Sequence, residues 1–110
     1  MAIFNFQIRS DNTEQVMAAY RNALARALMI IGGTATDYAK NLAPVDTGRL
    51  RSSLRHEEDE RSTTIGTDVE YAPYQELGTR NMRAQPFLRP AVEEHMQEYR
   101  TILEEELRNA

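Results

Sequence analysis

Phe4, Phe6 and Ile8 alternate with Asn5, Gln7 and Arg9 at the start of the chain. Apolar residues at every second position share one face of an extended backbone, so this segment is predicted to be a strand with one buried side. Ser10-Asp11-Asn12-Thr13 follows with several possible N-caps, and Asn12 with Gln15 three residues on resembles a capping box. The period then changes. Val16, Tyr20, Leu24, Leu28, Ile31, Ala35, Tyr38 and Leu42 step by three or four residues and keep one apolar stripe in phase. The pattern predicts one helix over residues 13–42, about 45 Å long. Gly32-Gly33 lies inside it, at a cost of roughly 2 kcal/mol relative to alanine, so the pair serves close packing or a hinge. The alternative is two helices broken at the glycines.

Pro44 ends the helix, because the residue before a proline avoids helical backbone. Residues 49–58 and 62–67 read as two strands, with the charged run Glu57-Glu58-Asp59-Glu60-Arg61 as a solvated hairpin tip. Residues 70–77 carry Tyr71, Tyr74 and Leu77 at three-residue spacing, Pro73 near the start and Gly78 at the end, which predicts a short helix. Residues 79–89 read as an extended loop. Pro90 suits the first turn of a last helix, Glu93 and Glu94 favour its N-terminal dipole, and Leu88, Val92, Met96 (or His95), Tyr99, Leu103 and Leu107 form its stripe. The order is N-terminal strand, long helix, antiparallel hairpin, short helix and C-terminal helix: an α+β fold with one small sheet packed on helices.

A length of 110 residues predicts a single domain, with a core modest enough that oligomerisation would add to its stability. A helix of 45 Å is long for so small a domain, which points to part of its surface packing on another chain. The formal charge of −4 argues against a dedicated nucleic-acid binder. There is no cysteine, hence no disulfide or thiolate metal site, and a reducing compartment is compatible. The most apolar stretch, residues 23–31, is interrupted by Arg26 and too short to span a bilayer. The first residues lack the basic lead and apolar run of a signal peptide.

Asp46-Thr47-Gly48 is the tripeptide of aspartic proteases, in which two such aspartates share a proton. Here Arg49, Arg51, Ser52 and Ser53 follow, where that chemistry needs apolar bracing, and there is no glycine-rich flap. Two substantial helices also conflict with a nearly all-β protease. A structural turn fits better: Asp46 or Thr47 accepts a main-chain N–H, and Gly48 supplies a close or positive-φ geometry. Leu50 and Leu54 then anchor the segment on the core.

Three stretches together carry a resemblance. APVDTGRLRSS at 43–53, YAPYQELGT at 71–79 and QPFLRPA at 85–91 are similar, in order and spacing, to the signatures of the gene-product-ten-like tail-component family of HK-ninety-seven-type long-tailed bacteriophages. The flanking helices agree with it, and the glycine pair inside the first is the departure. The resemblance implies a tail-completion or head–tail joining (neck) subunit that assembles into a ring between head connector and tail tube. It implies no catalytic residue and no cofactor. It implies partners among other neck and tail proteins and a homo-oligomer on assembly, and leaves open whether the isolated chain is a monomer, as is common for such parts. DNA would pass through the ring without specific binding. The expected location is the virion head–tail junction, reached from the host cytoplasm.

The candidate partner contacts are arginines. On a strand Arg49, Arg51 and Arg55 would share one face, either solvated, against an acidic patch of a neighbouring subunit, or against DNA. Arg80, Arg83 and Arg89 lie in a stretch with no acid, and a subunit or partner contact is expected there. Tyr71, Tyr74, Leu77 and Phe87 are assigned to the core. Glu76 is expected to cap main chain or pair with an arginine. His56 and His95 lack companion ligands at metal-site spacing and are placed at the surface or a helix edge. Glu104-Glu105-Glu106 reads as a solvated helix face, or as the lining of a negatively charged channel. A nucleic-acid-binding module using the arginine clusters is the rival reading.

Overall fold

The computed structural model describes residues 2–7, 13–44 and 48–109, with the side chains of residues 2, 6, 7 and 13–20 outside that description. The predicted caps at residues 10–12 and the turn residues Asp46 and Thr47 therefore lie outside the described residues. Eight elements follow one another: β1 (Ala2–Gln7), α1 (Thr13–Leu42), α2 (Arg49–Ser53), β2 (Arg55–Glu58), β3 (Ser62–Thr67), α3 (Ala72–Leu77), α4 (Leu88–Glu93) and α5 (Met96–Arg108). The strands form one antiparallel sheet in the order β1-β3-β2, with Phe4 and His56 both opposite Ile65. This is the α+β arrangement expected from the pattern.

Helix α1 is continuous through Gly32-Gly33. The reason for the first glycine is close approach rather than bending. A Cβ on Gly32 would lie 2.3 Å from Thr63 Oγ1 and 2.9 Å from His56 Nδ1. The helix thus lies against the hairpin at a point where no side chain fits. At Gly33 the nearest atom would be His56 Nε2 at 3.9 Å, ordinary contact. His56 is consequently half-buried under α1, not at the surface, and its ring meets Glu58 Oε1 at 2.8 Å. The buried stripe of α1 runs through Leu24, Ala27, Leu28, Ile31, Ala35 and Ala39, and Ala43 just past the helix end continues it. The alanines at its end let α1 sit close to the core and displace Leu42, expected inside, to the exposed side.

Two expectations need correction. Residues 49–58 are not one strand. Gly48 takes a left-handed conformation, φ 75°, and turns the chain into the single helical turn of α2, closed by Ser52 N–H to Gly48 O at 2.9 Å. Leu50 and Leu54 point inward and are buried, as expected, and only residues 55–58 pair with β3. The last helix is two pieces, α4 and α5, joined at Glu94-His95. Tyr99 is buried, and its hydroxyl donates to the carbonyl of Ala91 eight residues back. In a straight helix those positions stand about 12 Å apart along the axis, so the contact depends on the bend.

The core joins α1 to the sheet and to α4 and α5 through Ile31, Ala35, Leu54, Ile65, Phe87, Leu88 and Tyr99, among others. Along α1, helix α5 runs antiparallel. Tyr38 donates to Glu98 at 2.5 Å, and Arg26 meets Glu106 at 3.3 Å. His95 stacks on Tyr38 with ring centroids 3.6 Å apart and planes 4° apart. The molecule is elongated, 51 × 23 × 22 Å, with a radius of gyration of 15.5 Å where a compact chain of this length has about 13 Å.

Candidate assembly surface

The three sequence signatures meet in space, and some of their polar residues hold main chain. Glu76 is buried. One carboxylate oxygen accepts the N–H groups of Phe87 at 3.1 Å and Leu88 at 2.8 Å, and the other accepts that of Arg89 at 3.1 Å. These are the otherwise orphaned donors at the start of α4. A side chain eleven residues away in sequence therefore caps the helix and ties the second signature to the third. Gln85 N–H adds a bond to Gln75 O at 2.7 Å. Gly78, φ 78°, lies where a Cβ would come within 2.8 Å of Ala84 N, so this turn also requires glycine. Ser53 at the end of the first signature bonds Leu50 O at 2.7 Å and Thr67 Oγ1 at 2.5 Å.

Arg49 links the first signature to the residue ahead of the second. Its guanidinium meets both carboxylate oxygens of Glu70, at 3.2 and 3.0 Å, and lies 5.7 Å from the centre of the Tyr71 ring. The main-chain N–H of Glu70 itself and then Arg49 hold the Glu70 carboxyl below its ordinary pKa. Arg55 pairs with Asp68 at 3.3 Å. Arg51 is half-buried, and its Nε has no hydrogen-bond partner among the described residues. The expected row of three arginines on one strand face does not exist, because Arg49 and Arg51 belong to α2 and only Arg55 to β2.

Of the other three arginines, Arg89 lines an apolar groove, and Arg80 and Arg83 lie in the exposed stretch between two of its lining residues, Leu77 and Leu88. Residues 79–86 are all exposed, Arg80 and Arg83 among them. Arg89 lies 5.9 Å from the centre of the Phe4 ring and 3.8 Å from Glu93. Between β1 and the α3–α4 segment lies a groove of about 340 Å³, lined by Ile3, Phe4, Pro73, Leu77 and Leu88 with Glu76 and Arg89. Tyr74 and Leu77, expected in the core, are instead 57% and 74% exposed. The inward positions of α3 are Ala72 and Glu76, one turn apart, so Glu76 takes the place an apolar residue would fill. Tyr71 is half-buried against the core and Phe87 is fully buried, as expected. No sequence signal separates Tyr71 from Tyr74; a buried acid capping a distant helix shifts the register by which α3 faces inward.

Among the described residues no group of three or more histidines or acids could hold a metal ion, and no helix is long and apolar enough to cross a membrane. No curated protein and no solved structure matches the chain. Residues 4–78 match the family described as "Bacteriophage HK97-gp10, putative tail-component", a span that holds the first signature, nearly all of the second and the elements from β1 to α3. With more than two thirds of its length so matched, the chain belongs to the HK97-gp10 tail-component family of bacteriophages.

Proposed function

We propose that the chain is a tail-completion or head–tail joining subunit that acts by assembling into a ring between head connector and tail tube, as one domain and without catalysis. The observation that carries this reading is the use of the signature residues. Glu76, Gly48, Gly78 and Ser53 shape main chain, which suits a fixed outer surface on a member of a phage tail-component family better than a reacting centre. That surface leaves Ile3, Tyr74 and Leu77 exposed on one side and Met29 and Ile30 on α1. Exposed apolar residues that gather beside charge mark protein contacts more often than solvent. The partners are other neck and tail proteins and further copies of the chain, DNA passes the ring without specific contacts, and the protein reaches the head–tail junction of the virion from the host cytoplasm. Labelling of intact virions with a gold-conjugated antibody against the chain tests this location. Label at the junction is expected; label along the tail tube, at its far tip, or absent from particles would overturn it.

A further inference from the structure

Residues 77–92 contain three arginines and no acidic residue. With a formal charge of −4 for the whole chain and +3 on this stretch, the remainder carries −7. The stretch borders the apolar groove, whose lining includes exposed Ile3 and Leu77. Arg80 and Arg83 make no ion pair with any described residue, so their charge faces outward. From these observations we infer that the groove with its arginine loop is a docking surface for a second copy of this chain, and that it takes the acidic last turns of that copy's α5. The inference rests on the ring reading above and adds to it the two faces that meet and their polarity.

The last turns of α5 have the matching character. Leu103 packs against the core and Leu107, one turn on, is half-buried; Glu104 and Glu105 beside them are exposed, while Glu106 is already engaged by Arg26. Arg108 is the cation of that last turn and sits at its far end. Exposed acids at the end of α5 thus match in charge the exposed arginine stretch that borders the groove. The two lie apart within one molecule. Helix α5 passes Tyr38 at Glu98 and Arg26 at Glu106, a distance of about 18 Å along α1, leading away from the groove beside Leu88. Contact is therefore made between molecules. A two-fold contact through the groove would set arginine loop against arginine loop, and like charges in contact are costly. Head-to-tail contact avoids this, and repeated head-to-tail contact closes a ring.

Charge reversal with mixing tests the inference. One full-length variant carries Arg80→Glu and Arg83→Glu; a second carries Glu104→Arg and Glu105→Arg. All four positions are exposed, and circular dichroism checks that each variant folds. Self-association is followed by sedimentation over a range of concentration and salt. The unaltered chain is expected to associate more strongly as salt falls. Each variant alone should lose at least about tenfold in association, since both then oppose like charges. An equimolar mixture should recover it, because each altered face then meets a complementary one. Three outcomes overturn the inference: an unaltered chain that stays monomeric at high concentration and low salt, variants that associate like the unaltered chain, or a mixture that does not recover. Binding of the same proteins to tail tubes separates the two claims. Variants that lose tail binding but keep self-association assign the groove to a different protein, whereas an unaltered chain that ignores tails refutes the ring reading itself.

Discussion

Glu76 holds three main-chain donors on one buried carboxylate, and most of what joins the α3 region to α4 passes through those bonds. Hydrogen bonds to a charged acceptor contribute about 1.5–3 kcal/mol each before the cost of burial, and donors left unpaired cost about as much. Glu76→Ala is accordingly expected to lower stability by about 3 kcal/mol, and Glu76→Gln, which keeps an acceptor, by about half of that; urea unfolding of the two variants checks the order. Asp59 and Glu70 act at the same scale through pH. The main-chain N–H of Arg61, then the hydroxyl and the N–H of Ser62, hold the Asp59 carboxyl below its ordinary pKa, as the main chain and Arg49 do for Glu70. A depressed pKa means the folded state favours the charged form. The stability from these groups is therefore full above the ordinary value of about 4 and is lost as pH falls through the lower folded values. The double variant Asp59→Asn, Glu70→Gln should show a shallower fall of unfolding midpoint with acid than the unaltered chain; equal slopes would assign acid sensitivity elsewhere.

At the scale of elements, the contrast between Gly32 and Gly33 separates close packing from hinge. Alanine at Gly32 must push α1 from the hairpin, since Thr63 and His56 occupy the Cβ position; overpacking of this kind costs about 1–3 kcal/mol, against a helix-propensity gain of about 1. Alanine at Gly33 meets only ordinary contact and should stabilise by about 0.5 kcal/mol. Thermal unfolding of Gly32→Ala and Gly33→Ala should therefore move in opposite directions; a shared loss would restore the hinge. The period of apolar residues made β1 and α1 readable in advance, whereas α3 was read from Pro73 and Gly78 at its ends and from a spacing whose Tyr74 and Leu77 lie outside the core. Helix α2 was not readable. Leu50 and Leu54, four apart, fall on the same side of a strand as of a helix, and only the conformation at Gly48 decides between them. The break between α4 and α5 was hidden for a similar reason: the stripe stays in phase across it, and the bend is held by Tyr99 reaching back to Ala91. Burial drives the pKa of that tyrosine well above its ordinary value, so it remains the donor at any ordinary pH.

For the whole molecule, the sequence placed the three signatures in order but not the bonds that bring them together. The register of α3 was lost because Glu76 turns inward, which sends Tyr74 and Leu77 to the outside. Their exposure, near an arginine-bearing stretch of this elongated tail-component chain, forms the surface we propose for assembly. The central claim is that the chain completes tails. Its most direct measurement begins with tails assembled in cells that lack the protein. Purified chain is added, then filled heads, and electron microscopy counts tails joined to heads. The account predicts a ring of added density at the head-proximal end and a large rise in joined particles. Tails that take up no density, or that join heads equally well without the chain, would contradict it.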